Sequence, residues 1–276
     1  MILFPPCKIN LGLRVLGKRK DGYHDLQTIF YPVGIRDALE IIPSTAVSLH
    51  VTGKAIPGDS AQNLCLKAYE LLARDFPAVG PVEIHLHKEI PMGAGLGGGS
   101  SDGAYAIRLL DKIFLGHLTT DQKVSYALEL GSDCPFFIFD GPCKAGGRGE
   151  MLEPVELDLS AFWIILVNPG IHVNTGWAFG QLATRRGDGA EGSALAEGDK
   201  MNTDSMASWR DTLVNDFEAP VFAAYPEVAR IKETLYATGA VYASMTGSGS
   251  TVYGLFPKKQ GLPRLSFPTH YWTATI

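Results

Sequence analysis

Glycine and hydroxyl side chains are concentrated between residues 91 and 103 in a pattern that suits phosphate binding. Glycines at 93, 95, 97, 98 and 99 are followed directly by Ser100 and Ser101. Apolar and polar residues alternate over 82–87, which predicts a half-buried strand, and apolar residues recur at helical spacing over 104–114, which predicts a helix. Glycines let backbone N–H groups approach a polyanion, and a helix start adds unpaired N–H groups and a positive dipole end. The order strand, glycine loop, helix therefore predicts a phosphate-binding site, with a flexible surface turn as the alternative.

Charged side chains that suit phosphoryl transfer stand elsewhere in the chain. Lys8 and Asn10 share one face of an otherwise apolar N-terminal strand. Asp133 lies between a helix predicted over 120–130 and an apolar run over 136–139, which predicts a strand. Phosphoryl transfer needs a phosphate-binding loop, a cation and an acid near the acceptor hydroxyl. Lys8, together with Mg²⁺, would supply the positive charge, and Asp133 would supply the acid. From the local pattern alone, Lys8 also fits a solvated face, and Asp133 also fits a cap or turn.

Two short segments carry further candidate binding residues. The turn Asp21-Gly22-Tyr23-His24 presents an aromatic ring and an imidazole together. The loop Thr246–Ser250 joins strands predicted over 242–245 and 251–256, and its Gly-Ser-Gly run can close over a phosphate. An ordinary surface turn and a hairpin turn are the alternatives.

Three well-known nucleotide-binding patterns fit this chain poorly. The run 12–19 approaches a Walker A motif, but Arg19 stands where Ser or Thr would hold Mg²⁺. Residues 93–98 fit Gly-x-Gly-x-x-Gly, but the region about 20 residues on is helix and loop rather than a strand ending in an acid. A protein-kinase glycine loop would require His-Arg-Asp and Asp-Phe-Gly further on, and the chain has neither.

Composition limits the class of protein. The chain has 276 residues, a net charge of −5 and no arginine-rich stripe, which argues against nucleic acid as a partner. No apolar run approaches the ~20 residues of a membrane span, and neither a signal peptide nor a transit peptide is expected, because the N-terminal residues predict a strand. The four cysteines lack metal-ligand spacing, which predicts reduced thiols and a cytoplasmic protein. His85 and His87 share a strand face, but a metal site there is much less expected than a solvated face.

The order of elements predicts two domains, 1–155 and 156–276, because strands and the glycine loop come first and helices with intervening strands follow. A second glycine-rich loop is expected over 144–150, and a mobile loop over 184–200. Short helices are expected near 205–213 and 216–224, before a clearer helix over 226–238.

Taken together, these motifs resemble those of the GHMP kinase superfamily. Pro91-Met92-Gly93-Ala94-Gly95-Leu96-Gly97-Gly98-Gly99-Ser100-Ser101 resembles its second signature, and Thr246-Gly247-Ser248-Gly249 its third. Within the superfamily, the segments 8–11, 21–24 and 131–135 resemble a branch that acts on a cytidine diphosphate-linked alcohol in the non-mevalonate route to isoprenoids. The resemblance covers the whole chain. It implies an α+β fold of two domains, the first like domain 2 of ribosomal protein S5 and the second ferredoxin-like, with ATP and substrate meeting between them.

The resemblance also implies a role for each matching residue. Asp133 would take the proton of the substrate's 2-hydroxyl as that oxygen attacks the γ-phosphate of ATP, and Lys8 would orient both groups. ATP binding would fall to Asn63, on the adenine side, and to the loop of Pro91, Met92, Gly93, Ala94, Gly95, Leu96, Gly97, Gly98, Gly99, Ser100 and Ser101. Substrate binding would fall to Asn10, Tyr23, His24, Thr175, Phe179, Gly247 and Ser248, with the cytosine ring between Tyr23 and Phe179.

Two positions depart from the usual pattern of that branch. Gly103 stands where alanine is usual and should cost the helix start ~1 kcal/mol. Gly176 follows Thr175 in place of proline, which leaves the cytosine side less rigid. The ligands of Mg²⁺ are left unassigned, although Ser100 or Ser101 could contribute. A kinase of another alcohol, such as homoserine or mevalonate, and a non-catalytic nucleotide-binding relative are the alternatives. The expected assembly is a monomer or weak homodimer.

Overall fold

The computed structural model describes residues 1–56, 59–186, 194–195, 206 and 208–276. Its strands are β1 (Ile2–Leu3), β2 (Pro6–Lys18), β3 (His24–Arg36), β4 (Ala38–Pro43), β5 (Ser48–Gly53), β6 (Val82–Lys88), β7 (Cys143–Gly146), β8 (Met151–Pro154), β9 (Phe162–Asn168), β10 (Tyr242–Met245), β11 (Val252–Pro257) and β12 (Trp272–Thr275). Its α-helices are α1 (Leu64–Asp75), α2 (Gly98–Leu110), α3 (Thr120–Leu130), α4 (Thr175–Arg186), α5 (Trp209–Thr212), α6 (Glu218–Ala224) and α7 (Pro226–Ala237). Within the described ranges, none of the helices combines the length and apolar character that a membrane crossing requires.

The chain forms two compact units, each assembled from separated segments. Unit 1 comprises 1–8, 32–92 and 97–140, and unit 2 comprises 9–31, 93–96 and 141–276. The predicted boundary near residue 155 stays a prediction.

Unit 1 is built on a sheet with the strand order β1-β4-β6-β5, in which β5 runs parallel to β6 and the other pairs are antiparallel. Alternation puts Ile84 and Leu86 of β6 in the core, as predicted for this strand. Helix α2 buries Ala104, Ile107 and Leu110 completely, as predicted, whereas the fourth residue of the predicted stripe, Phe114, is half-buried in a π-helical turn, Asp111–Leu115. Strand β6 and helix α2 therefore fix the two ends of the glycine loop within this unit.

Unit 2 holds an antiparallel sheet with the order β10-β11-β9-β12 and most of a second sheet, β2-β3-β7-β8. Helix α7 packs its Val228, Ile231 and Leu235 into the core of this unit, together with residues of β9, β10 and β11. Residues Tyr242–Met245 pair directly with Val252–Leu255, so Thr246–Ser250 is a tight connection between neighbouring strands. This confirms the hairpin predicted around the second small-residue loop.

Several predicted elements differ from those observed. Residues 136–139 do not form the predicted strand, and most of them belong to a 3₁₀ helix, Cys134–Ile138. Pro135 lies in the first turn of this helix, where a backbone N–H is not needed for hydrogen bonding. In a strand, the missing N–H of Pro135 would remove one hydrogen bond between neighbouring strands. The apolar run reflects complete burial of this turn rather than a strand. The loop expected over 144–150 is confined to 147–150, because Cys143–Gly146 pairs with β8.

The end of α4 and the segment after it also differ from the prediction. Helix α4 continues to Arg186, so the mobile loop expected over 184–200 is helical at its start, and its remainder lies outside the described residues apart from 194–195. The helix expected near 205–213 is seen as Trp209–Thr212; residues 205 and 207 lie outside the described ones.

Candidate active site

Lys8 and Asp133 form an ion pair in unit 1, with Lys8 Nζ 3.4 Å from Asp133 Oδ2. The Lys8 side chain is 3% exposed and that of Asp133 is 39% exposed, so a buried ammonium supports a carboxylate that faces solvent. Asp133 precedes the 3₁₀ helix Cys134–Ile138 but makes no capping hydrogen bond with its side chain. Its carboxylate is therefore not used to cap this turn, which argues against the cap interpretation.

The second half of the glycine loop forms the start of α2 in unit 1. Gly97 immediately precedes the helix, has a φ of 69° and has no side chain that could cap it. The Gly97 carbonyl accepts the first hydrogen bond of the helix, from the Ser101 N–H at 2.9 Å. The N–H groups of residues 98–100 precede this bond and have no partner within the helix. A Cβ at Gly97 would lie 3.1 Å from both Lys8 Cγ and Phe137 Cζ. Glycine is therefore required for the left-handed backbone and for the approach of the Lys8 stem.

The first half of the loop, residues 93–96, is held by the Thr246–Ser250 connection in unit 2. Thr246 Oγ1 donates to the carbonyl of Gly95 at 3.0 Å. Gly95 has a φ of 78°, and a Cβ there would lie 2.1 Å from the Thr246 carbonyl oxygen, so no other residue fits. The two segments that resemble the second and third signatures are thus in direct contact.

Asn10 joins the same network from β2. Its Oδ1 accepts from Gly247 N–H at 3.0 Å and lies 3.1 Å from Thr246 Oγ1, whose one hydroxyl hydrogen it shares with the Gly95 carbonyl. Its Nδ2 donates to Thr28 Oγ1 at 2.9 Å. The side chain is buried. The structure thus gives Asn10 the task of holding the turn at Gly247, and its predicted contact with substrate stays a prediction.

Asn215 and Glu218 hold the same hairpin and were not identified from the sequence. Asn215 Nδ2 donates to the carbonyls of Met245 at 2.7 Å and Gly247 at 2.9 Å. Glu218 Oε1 accepts from Met245 N–H at 2.9 Å. Both side chains are buried. The sequence around them, at the start of α6, contains no motif that predicts a contact with a hairpin 30 residues further along the chain.

The predicted pyrimidine site shows an aromatic pair that differs from the expected one. The rings of His24 and Phe179 are stacked with centroids 4.4 Å apart and planes inclined by 13°. Partial burial, together with the charge of Lys18, lowers the pKa of His24. Tyr23 is 53% exposed, and the guanidinium carbon of Arg148 lies 4.6 Å from its ring centroid. Phe179 thus has an imidazole on one face here, and a base between Tyr23 and Phe179 stays a prediction.

The remaining predicted residues occupy local positions that fit their chemistry. Ser248 Oγ lies 2.9 Å from Thr175 Oγ1 at the start of α4, which brings these two predicted substrate contacts together. Asn63 Oδ1 accepts from Cys65 N–H at 2.9 Å and so caps α1. The cap accounts for Asn63 structurally, and its adenine contact stays a prediction.

A buried ionic cluster next to the glycine loop was also missed. Lys88 Nζ donates to Asp102 Oδ2 at 2.6 Å and to Asp37 Oδ2, and Asp37 Oδ1 accepts from the N–H groups of Glu89 at 2.6 Å and Ile90 at 2.9 Å. The cluster ties the end of β6 to α2. Burial of the Asp102 carboxyl raises its pKa to about 8. The positive charge of Lys88 opposes this rise, and the negative charge of Asp37 adds to it. Because 37, 88 and 102 are far apart in sequence, no local pattern joins them.

All four cysteines are free and buried. Cys134 directly follows Asp133, and burial above all raises the pKa of its thiol to about 12, with the Asp133 charge adding to the effect and the Ser100 hydroxyl opposing it. None of the thiols is therefore placed for nucleophilic chemistry.

Comparison with known proteins identifies the class to which this fold and site belong. Residues 63–141 match the model of the GHMP kinase N-terminal domain, and residues 193–265 match that of the GHMP kinase C-terminal domain. The α+β fold is that of the GHMP kinases, which are small-molecule kinases. A homoserine kinase of Cytophaga hutchinsonii, 13% identical over 91% of this chain and 86% of its own, has the same fold with a TM-score of 0.64.

More similar proteins narrow the assignment. The chain is 44% identical to a 4-diphosphocytidyl-2-C-methyl-D-erythritol kinase of Bacteroides thetaiotaomicron, over 98% of this chain and 97% of the relative. It is 46% identical to that of Cytophaga hutchinsonii over 94% and 93% of the two chains. A crystal structure of 4-(cytidine 5'-diphospho)-2C-methyl-D-erythritol kinase aligns with a TM-score of 0.79 and 30% identity, over 100% of this chain and 98% of the other. The chain therefore belongs to the 4-diphosphocytidyl-2-C-methyl-D-erythritol kinase family.

Proposed function

We propose that this chain transfers the γ-phosphoryl group of ATP to the 2-hydroxyl of 4-diphosphocytidyl-2-C-methyl-D-erythritol, giving the 2-phosphate and ADP in the non-mevalonate route to isoprenoids. The observation that carries the proposal is the Lys8–Asp133 pair, at 3.4 Å, whose lysine stem packs against Gly97 at the start of α2. This arrangement puts an acid, a cation and a helix start with free N–H groups within one compact unit.

Asp133 is proposed as the general base. Its half-exposed carboxylate accepts the hydroxyl proton as the substrate oxygen attacks phosphorus, and the buried ammonium of Lys8 offsets the negative charge that gathers there. Positioning and charge stabilisation account for most catalysis of this reaction, since phosphoryl transfer requires no covalent intermediate with the protein.

The ATP phosphates are proposed to bind to the N–H groups of the glycine loop and the first turn of α2. Mg²⁺ would accompany ATP and neutralise charge on its phosphates. Among the residues that the structure describes, no three His, Cys, Asp or Glu side chains are grouped as a metal site. Phosphates and water would then supply most ligands, as is common for Mg²⁺. The Ser101 hydroxyl, buried without a hydrogen-bond partner in the described chain, is a protein oxygen available to the ion.

The cytidine group is proposed to bind where Tyr23, His24 and Phe179 lie. The exposed ring of Tyr23 offers a face for stacking, and the His24 imidazole offers a hydrogen-bond donor or acceptor for the base edge. Stacking of a base on an aromatic ring contributes ~1–3 kcal/mol in other proteins. Homoserine and mevalonate have no base, so a kinase for these alcohols would not need this group.

We also propose that the protein acts in the cytoplasm as a monomer or weak homodimer. Its net charge of −5 offers no general attraction for nucleic acid, and its proposed substrates are small anions.

The proposal is tested by ADP release with 4-diphosphocytidyl-2-C-methyl-D-erythritol, mevalonate and homoserine as parallel acceptors. Turnover is expected with the first alone. Asp133→Asn should reduce kcat by about 10²–10⁴-fold while the far-UV spectrum and thermal midpoint stay close to those of the wild type, because asparagine still offers Lys8 an oxygen acceptor. Asp140→Asn, at an exposed carboxylate paired with Arg108, is the matched control and should keep full activity. Comparable rates with mevalonate would refute the substrate, and near-normal turnover of Asp133→Asn would refute the base.

A further inference from the structure

The imidazole of His172 packs against the first glycine of the glycine loop. A Cβ built on Gly93 would lie 2.7 Å from His172 Nδ1 and 3.0 Å from Cε1, so this edge of the ring faces Gly93 directly. Gly93 has a φ of 63°, which also favours glycine. Because Nδ1 and Cε1 face the loop, Nε2 lies on the side of the ring turned away from Gly93. The His172 residue is exposed.

The backbone on both sides of His172 is fixed to the Thr246–Ser250 connection. The carbonyl of Ile171 accepts from Ser250 Oγ at 2.5 Å. Val173 is buried, and its Cγ2 would lie 3.6 Å from a Cβ on Gly249. The imidazole is thus presented by an anchored segment, and its place beside the glycine loop follows from the fold of unit 2.

Among the three chain segments that meet beside Gly93, His172 is the one acidic or basic side chain. The three segments that meet here, 93–96, 168–175 and 246–251, contain no other Asp, Glu, Lys, Arg, His, Cys or Tyr. Among the described residues, the His172 ring nitrogens have no hydrogen-bond or ion-pair partner, and the three segments contain no carboxylate. The glycine loop proposed to bind phosphate therefore has one imidazole donor beside its first residue.

We propose that His172 is a phosphate-binding residue, whose imidazole donates a hydrogen bond to a phosphate group lying on the loop that begins at Gly93. The inference rests on the proposed function, which supplies two sources of that group: the triphosphate of ATP and the diphosphate of the cytidyl substrate. An imidazole carries at least one N–H in either protonation state, so the ring can donate this bond to an anionic phosphate.

The test compares wild type, His172→Ala and His172→Gln by equilibrium titration in one buffer near neutral pH. The ligands are MgATP, adenosine and the cytidyl substrate. Loss of the hydrogen bond should weaken binding of the phosphate ligand to His172→Ala by about 2–10-fold. His172→Gln, which keeps an N–H donor, should recover most of that affinity. Adenosine affinity should be unchanged.

His270→Ala, at an exposed histidine beside Tyr271, is the matched control and should bind both ligands like the wild type. A loss confined to MgATP assigns the bond to the triphosphate, and a loss confined to the cytidyl substrate assigns it to the diphosphate. The inference is overturned if both ligands bind His172→Ala within twofold of the wild type, or if adenosine loses as much affinity as MgATP. Failure of the wild type to bind MgATP would instead overturn the proposed function itself, and this inference with it.

Discussion

Replacing Gly103 by alanine sets helix propensity against packing at one position of α2. Propensity alone favours alanine by ~1 kcal/mol in a helix interior. In the structure, however, a Cβ at residue 103 would lie 2.9 Å from Leu64 Cβ and 3.2 Å from Leu130 Cδ1. The nearest atom is close to the backbone of α1 and cannot rotate away, so the helices themselves would have to separate. Overpacking of this kind costs about 1–3 kcal/mol.

The net expectation is that Gly103→Ala lowers the free energy of unfolding by about 1 kcal/mol, since an overpacking cost of about 2 kcal/mol exceeds a propensity gain of ~1 kcal/mol. Gly180→Ala is the matched control. Gly180 lies inside α4, and a Cβ there would have no neighbour within 4 Å. With no packing cost, this substitution should raise stability by about 0.5–1 kcal/mol.

Urea unfolding followed by circular dichroism measures both variants against the wild type, and equal m-values would show that the unfolded states are comparable. The urea midpoints of the two variants should move in opposite directions from that of the wild type. Their free energies of unfolding should differ by roughly 2 kcal/mol. If Gly103→Ala proves as stable as Gly180→Ala, the contact between α1 and α2 is not close enough to decide the residue, and the reasoning fails.

Two further variants test the ionic cluster and the aromatic pair. The stability of Asp102→Asn relative to the wild type should rise as pH increases from about 4 to about 8, because the folded wild type binds a proton at Asp102 that its unfolded chain releases over this range. Thermal unfolding at several pH values checks this, and a constant difference would contradict the raised pKa. Phe179→Ala should raise KM for the cytidyl substrate about 10–100-fold with little change in kcat or in KM for ATP, as initial rates will show, whereas an equal effect on ATP would speak against a base-binding role.

Secondary structure could be predicted from the sequence where the pattern that determines it lies within one continuous segment. Alternation in β6, the run of glycines and the apolar stripe of α2 are all local, and each is found as predicted. The one local prediction named here that was wrong is the strand over 136–139, and the reason is also local. A short apolar run fits a buried helical turn as well as a strand, and Pro135 favours the 3₁₀ helix.

Contacts between distant segments were not readable in this way. The approach of Lys8 to Asp133 depended on a resemblance, because the two residues lie in elements whose packing no periodicity reveals. The stack of His24 on Phe179 depends on where the turn after β2 meets α4. Asn215 looks like an ordinary turn residue until its amide is seen bonded to the Met245 and Gly247 carbonyls.

The thiol of Cys134 stands next to the proposed base, yet its chemistry is suppressed. With a pKa of about 12, this buried thiol stays almost entirely protonated near neutral pH. Alkylating reagents and mild oxidants react with thiolates, so they should leave Cys134 unmodified in the folded protein. Compounds designed to disable the protein by forming a covalent bond would have to be aimed at a different kind of side chain.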